Sequence, residues 1–352
     1  MSAVHSAQQH PSNERPEPVA LPANQPEQFY RGGAAIADLR GGGDDRTFGP
    51  EDWVASTTTR FGQARSGLSH LPDGRTLLEA VAAEPEPWLG AEHVAAFGDS
   101  TALLVKLLDA GQRLPVHCHP SDTFARQQLG SRFGKTEAWI VLGTTGPDPV
   151  VHVGFREDAA PEAVQRWVRT QDASALLGSL NEIPVRKGQT VLVPAGTPHA
   201  IGAGVFVVEL QQPTDFSITL EWEGFLADAE SAFLGMPHRD ALEALNRSGF
   251  DDAAVSSLIR HTAERDDPRV PLLSEDASGF FRADRLHPRG ALELEPSFGV
   301  LVALEGSGTL RHDGGELALR RGSTVVVPHG AGTTRLEGDL TAIHCRPPAP
   351  TT

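Results

Sequence analysis

The chain of 352 residues carries 46 acidic against 30 basic side chains, a formal charge of −16 at pH 7, which argues against nucleic acid or an anionic membrane as partner because either needs a basic face. Its length leaves room for one large core or two related ones. Only two cysteines, Cys118 and Cys345, are present, which excludes a disulfide scaffold and fits a reducing cytoplasm, and no apolar run is long enough to span a bilayer.

Residues 1–28 are rich in Pro, Gln, Asn, Ser and Glu without an apolar run, the composition of a disordered tail rather than a secretory signal. Beyond it, short β-branched runs separated by Gly and Pro predict a mainly β chain of antiparallel sandwich or barrel type. The first is 102–108. After it comes His117-Cys118-His119: alternate side chains of a strand share a face, so both imidazoles could reach one ion while Cys118 turns away as a small buried hydrophobe. Ser121 caps a short amphipathic helix running to Leu129.

Eighteen positions after His119, Glu137 opens a strand with its carboxylate on the face of Trp139 and Val141. Helical spacing follows over 160–180, broken near 170–173, and then the strand 190–193. Pro194-Ala195-Gly196-Thr197-Pro198-His199 supplies a tight turn and a third histidine. Three imidazoles and one carboxylate make a mixed N/O shell that suits zinc, iron, manganese, nickel or copper and leaves positions open for substrate. Strands are predicted at 204–210 and 217–222, a helical pair over 238–261 split at Ser248-Gly249, and strands again from Pro271. Trp139 and Trp222 read as core, and Gly134-Lys135-Thr136 lacks the preamble of a phosphate loop.

The C-terminal part repeats the design. Residues 299–308 read as a strand and a turn, and Arg321-Gly322-Ser323-Thr324-Val325-Val326-Val327-Pro328 echoes Lys187-Gly188-Gln189-Thr190-Val191-Leu192-Val193-Pro194. The echo predicts two copies of one barrel. Where the first copy has His199 the second has Thr333, and no His-x-His pair precedes it, so the second barrel is expected to be metal-free and structural. The predicted layout is a tail over 1–28, a metal-binding barrel with helical insertions over 29–225, a helical segment over 226–268 and a second barrel over 269–352.

Gly111-x5-His117-x-His119 with Gly188-x5-Pro194-x-Gly196-x2-His199 resembles the two metal motifs of the cupin superfamily. Within it the chain is similar to the type I mannose-6-phosphate isomerase family. The specific stretches are 103–110, 134–139, 193–201 and 209–215, with weaker ones at 31–33 and 51–56. The resemblance implies two cupin-type (jelly-roll) β-barrels with an added helical segment. It also implies a divalent metal, zinc in the family, held by a Gln, a His, a Glu and a His that fall on His117, His119, Glu137 and His199.

The first ligand is a departure, Gln to His, which restores the three-His, one-Glu set of ordinary cupins and widens the choice of metal. The family serine that precedes that Gln by two is Pro115 here, and the family arginine four residues beyond the acidic position of Asp215 is Thr219, whose hydroxyl cannot replace a guanidinium. Lys106, Lys135 and Asp215 are retained as the catalytic candidates, with Glu209 or a metal-bound water as possible helpers in proton transfer.

The implied reaction is the interconversion of mannose 6-phosphate and fructose 6-phosphate through a cis-enediol, with a small sugar or sugar phosphate as the ligand and the cytoplasm as the compartment. Three alternatives stand beside it: an isomerase of another sugar, unphosphorylated or differently substituted, an oxygenase using the same three His and one Glu, and a non-catalytic sugar-binding homologue.

Overall fold

The computed structural model describes residues 15–42, 46–262 and 267–350. Its described residues form a mainly β, cupin-type structure of three antiparallel sheets. A six-stranded sheet runs in the order Ile259–His261, Gln189–Val193, Glu137–Thr144, Val205–Gln211, Leu104–Asp109, Glu51–Val54. A five-stranded sheet opposes it in the order Ile218–Thr219, His117–Cys118, His199–Ile201, Val150–Phe155, Leu180–Pro184. The strands Arg269–Pro271, Arg282–Leu286, Ala291–Leu294, Gly299–His312, Gly315–Arg320, Thr324–Val327 and Thr334–Arg346 build an eight-stranded sheet that also takes in Val19–Ala20.

The period of two along each strand sets the layers. On the Glu137 strand, Trp139 and Val141 point between the first two sheets, where they meet Val153, Ile201 and Val207. Ala138 and Ile140 point the other way and pack with Val300, Val302, Ile343 and Cys345 of the third sheet. A sheet covered on both faces has no polar side to show, which is why these strands read as unbroken apolar runs. Outside the five-stranded sheet, Cys118, Ala200 and Ile218 pack against Val164, Val168 and Leu176 of the helices Pro161–Thr170 and Ala173–Gly178.

Local signals behave as their chemistry dictates. Ser121 Oγ accepts Phe124 N–H at 3.2 Å to open the helix Asp122–Gln128. The break between the next two helices falls at Gln171 in the left-handed region, φ 49°. Gly111 touches the carbonyl of Gly32 so closely that a Cβ would lie 2.1 Å from it, so no side chain fits there.

Four expectations change. Of the tail expected over 1–28, residues 1–14 lie outside the described residues. The rest is an ordered strap: Val19 and Ala20 pair with Val326 and Val325, Asn24 N–H donates to Asp52 at 2.8 Å, and Asn24 Nδ2 donates to the carbonyls of Trp53 and Gly67. Backbone pairing and buried polar partners hold a segment whose composition lacks the apolar content to order itself.

The helical pair expected over 238–261 ends in a strand, Ile259–His261, which completes the free edge of Gln189–Val193. The turn expected at 306–308 is absent. Gly299–His312 runs on as one strand because Gly306 and Gly308 lie against the backbone of Thr334–Arg346, where a Cβ would meet a carbonyl oxygen at 2.0 and 2.2 Å. Of the strand expected over 217–222, only Ile218–Thr219 pairs.

Arg40 ties the layers together. Its guanidinium meets Asp52 at 2.7 Å and donates to Thr324 Oγ1 at 2.6 Å and to the carbonyls of Gly322 and Leu21. Asp52 is fully buried, and burial raises its pKa even with Arg40 and Asn24 N–H drawing it down, so the pair does not fully repay its desolvation. Removing one partner leaves a stranded charge. Arg40→Met is therefore expected to lower stability by ~3–5 kcal/mol, and Arg40→Met combined with Asp52→Asn to recover much of that loss, both read from urea-unfolding midpoints.

Candidate metal centre

The ligand candidates come from both sheets of the first barrel. On the five-stranded sheet, Thr219, His117, His199 and Val153 form one cross-strand row. Facing it, the six-stranded sheet presents the row Trp53, Lys106, Glu209 and Trp139. Glu137 begins its strand at the same end, and His119 stands just beyond His117–Cys118. The turn before His199 is closed by Thr197 N–H to Pro194 O at 3.1 Å, with Gly196 at φ 82°.

Hydrogen bonds fix the imidazoles. Nδ1 of His117 lies 2.9 Å from Pro115 O, Nδ1 of His119 2.8 Å from Phe216 O, and Nδ1 of His199 2.8 Å from Thr197 O. A carbonyl only accepts, so each Nδ1 carries the proton and each Nε2 keeps its lone pair. Carbonyl oxygens fill this role, so the loss of a serine hydroxyl at Pro115 does not disturb it.

The three histidines bring ligand atoms within 4.8 Å of one another, and they are the metal-capable His/Cys/Asp/Glu group found among the described residues. Glu137 joins them, Oε2 lying 3.0 Å from His119 Nε2 and Oε1 3.2 Å from His199 Nε2. Nε2 of His119, Nε2 of His199 and Oε2 of Glu137 are buried with no hydrogen-bond partner.

Charge states sharpen the picture. Burial pushes the His117 imidazole well below its usual range, the neighbouring imidazoles of His199 and His119 adding to it. Burial and then the charge of Lys135 bring His119 down to about 3. Burial opposes the charge on Glu137, but His119 and Lys135 outweigh it and hold the carboxyl well below the usual range. A neutral His119 turns a lone pair toward an ionised carboxylate, so their contact is acceptor against acceptor. A cation between them satisfies the whole group. The donor set therefore fits a divalent ion with N/O preference, and Trp139 Nε1–H, donating to Glu137 Oε1 at 3.0 Å, orients the carboxylate from behind.

His117 opens onto a cavity of about 350 Å³ that also exposes Lys135, Lys106, Asp215 and Glu209. All three catalytic candidates thus meet beside the ligand cluster. Lys135 Nζ is 3.4 Å from Glu137 Oε2. Lys106 Nζ lies between Glu51 at 3.2 Å and Glu209 at 3.5 Å, 4.7 Å from the centre of the Trp53 ring. Burial alone would discharge Lys106, but Glu51 and Glu209 more than reverse it and its pKa is raised. Burial, followed by the charge of Glu137, pushes Glu209 up to about 8. Burial likewise raises Asp215, which accepts Phe61 N–H at 3.1 Å.

Sequence reasoning missed Glu51 and Tyr30. Glu51 accepts from Trp53 Nε1 at 2.6 Å, from Gln28 Nε2 at 2.9 Å and from the Tyr30 hydroxyl. The available signal was thin: Tyr30 is the chain's single tyrosine, and Glu51 heads a strand whose whole run is buried.

Comparison with known proteins agrees with the architecture. Residues 282–347 match the family model described as the cupin domain of mannose-6-phosphate isomerase, a match that falls on the third sheet rather than on the metal cluster. The chain is 27% identical over 261 residues to the mannose-6-phosphate isomerase of Streptococcus mutans, covering 72% of this chain and 78% of that protein. It is 26% identical over 244 residues to the mannose-6-phosphate isomerase ManA of Bacillus subtilis, covering 68% of this chain and 73% of that one. The crystal structure of the mannose 6-phosphate isomerase of Bacillus subtilis superposes with a TM-score of 0.66 at 22% identity, over 94% of this chain and 100% of that one. The C-terminal sheet thus carries the cupin domain described for mannose-6-phosphate isomerase, and the chain as a whole is similar, at modest identity, to proteins of that name.

Proposed function

We propose that the chain is a metal-dependent aldose–ketose isomerase acting on a hexose phosphate, with mannose 6-phosphate and fructose 6-phosphate as the pair to test first. The observation that carries the reading is the convergence of unpartnered Nε2 and carboxylate atoms at one edge of a cavity that also holds two lysines and two carboxyls of raised proton affinity. His117, His119, Glu137 and His199 would hold the ion. Bound there, a divalent cation such as zinc, iron, manganese, nickel or copper supplies Lewis acidity toward the C1 and C2 oxygens of the sugar.

The chain's own residues then have distinct tasks. Isomerisation moves a proton between C1 and C2 and places negative charge on the two oxygens as the cis-enediol forms. Lys135, fixed by Glu137, sets an ammonium beside the ligand cluster where that charge develops. Glu209, held up to about 8 by burial and then the charge of Glu137, exchanges a proton near neutral pH more readily than an ordinary carboxyl, which suits it to carry the proton from one carbon to the other, and Asp215, also raised by burial, stands beside it in the same cavity. Lys106 keeps Glu209 in place, and the Glu51 network keeps Lys106 in place. The names of the relatives support the sugar phosphate as substrate. Thr219, on the His117 row, supplies a hydroxyl and no charge there, which motivates including unphosphorylated sugars in any screen.

Two measurements test this reading. Elemental analysis of the purified protein should give close to one divalent ion per chain, and His199→Gln should lose it almost completely while the fold is kept; full metal content in that variant would remove His199 from the ligand set. In D2O, the metal-loaded protein should wash solvent deuterium into C1 or C2 of the hexose phosphates. Glu209→Gln and Asp215→Asn should each slow this exchange by about 10²- to 10⁴-fold. No exchange into any hexose phosphate, in wild-type protein carrying its metal, would rule out the reaction.

A further inference from the structure

The cavity contains three basic side chains among its lining, and they differ in what neutralises them. Lys106 is clamped by Glu51 and Glu209, and Lys135 rests on Glu137. Among the described residues no carboxylate lies within ion-pair distance of Arg60. Its Nη1 donates to the backbone carbonyl of Glu27 at 2.5 Å, and its Nε is buried with no partner. A guanidinium presents five donors in a planar fork suited to an oxyanion, and a buried N–H without an acceptor is costly to maintain. An acceptor entering the cavity would relieve it.

The loop that carries Arg60 is built to hold it there. Arg60 N–H donates to Ser66 O at 2.8 Å and Gln63 N–H donates back to Arg60 O at 2.9 Å. Gly67, at φ 96°, presses on Trp53 so tightly that a Cβ would stand 2.6 Å from the ring. On the far side, Phe61 N–H donates to Asp215, and the Phe61 ring meets that of Phe216 edge-on at 5.8 Å. Arg60 therefore sits between the strap, through Glu27, and the segment of Asp215 and Phe216, across the cavity mouth.

We propose that Arg60 is the specificity residue for an anionic sugar: it binds the phosphate dianion at the chain end remote from the carbons that react, supplying from the loop a cation that the Thr219 wall lacks. This rests on the isomerase reading only for the identity of the sugar. The remaining donors of the guanidinium fork take the phosphate oxygens, and the hydroxyls of Ser217 and Thr219, which line the same cavity, can donate to them.

Binding can be separated from turnover with an open-chain hexitol 6-phosphate and its unphosphorylated hexitol, titrated calorimetrically into the metal-loaded protein. Wild-type protein should prefer the phosphate form. Arg60→Gln should weaken the phosphate ligand by about 10- to 100-fold and leave the free hexitol unchanged, and Arg60→Lys should fall between because it keeps charge without the fork. In steady-state assays of the hexose phosphates, the loss should appear in KM rather than kcat. Unchanged free-hexitol affinity guards against misfolding.

An undiminished phosphate preference in Arg60→Gln, or no preference in wild type, overturns the assignment of Arg60. If wild-type protein shows an Arg60-dependent preference but no exchange at C1 or C2, the assignment stands and the isomerase reading falls. If the wild type turns over hexose phosphates and Arg60→Gln keeps its preference, the reverse holds.

Discussion

The site depends on three backbone carbonyls. Those of Pro115, Thr197 and Phe216 take the Nδ1 protons of His117, His199 and His119, and in doing so leave each Nε2 lone pair free, those of His119 and His199 turned onto the Glu137 carboxylate. Two of these bonds span only two residues, so the local turn itself sets the tautomer, while the third reaches from His119 to a segment 97 positions away. Without those bonds each imidazole could tautomerise and donate to Glu137, and the cluster would close on itself as an ordinary hydrogen-bonded core. With them, the protein stores an unmet need for positive charge at one point.

That need is balanced by a graded arrangement of charge along the barrel wall. Glu137 is held ionised beside Lys135; one strand over, Glu209 remains hard to ionise because it is buried and because Glu137 already carries the local negative charge. Lys106 stays charged in a buried setting because two carboxyls share it. Paired groups with proton affinities pushed apart are a hallmark of acid–base sites, and here the separation follows from which residue happens to lie beside which in the strand register, Glu209 opposite both Lys106 and Trp139.

The legible part of this arrangement was short-range. His117-x-His119, the Pro194–His199 turn and the Glu137 strand carry their geometry in spacing, because strand alternation and turn chemistry act over a few residues. Ser121 as a cap and the break at Gln171 were readable for the same reason. What could not be read was cross-chain satisfaction. Nothing in 15–28 announces that Asn24 will bond Asp52, Trp53 and Gly67, and without those partners a Pro- and Gln-rich stretch does look disordered. Gly306 and Gly308 look like a turn until a neighbouring strand is seen to need their missing side chains. Arg60 in isolation is a surface arginine; its meaning comes from a loop fold, a buried Nε and neighbours drawn from two distant segments, at Glu27 and at Asp215–Phe216.

The strap also changes what the C-terminal barrel does. That barrel reads from sequence as a metal-free partner, yet its strand Thr324–Val327 is what Val19 and Ala20 pair with, and Thr324 Oγ1 is one of the groups that holds Arg40. From that anchor the chain runs to Asn24, fastened on Asp52 and Trp53, then to Glu27, whose carbonyl holds Arg60, and to Gln28 and Tyr30, which hold Glu51 and through it Lys106. Each link is a hydrogen bond or ion pair, buried or half-buried at Asn24 and around Glu51 and exposed at Glu27. The C-terminal sheet therefore lines none of the cavity but is joined to it through the strap, whose first residues pair with Thr324–Val327 and whose last line the cavity.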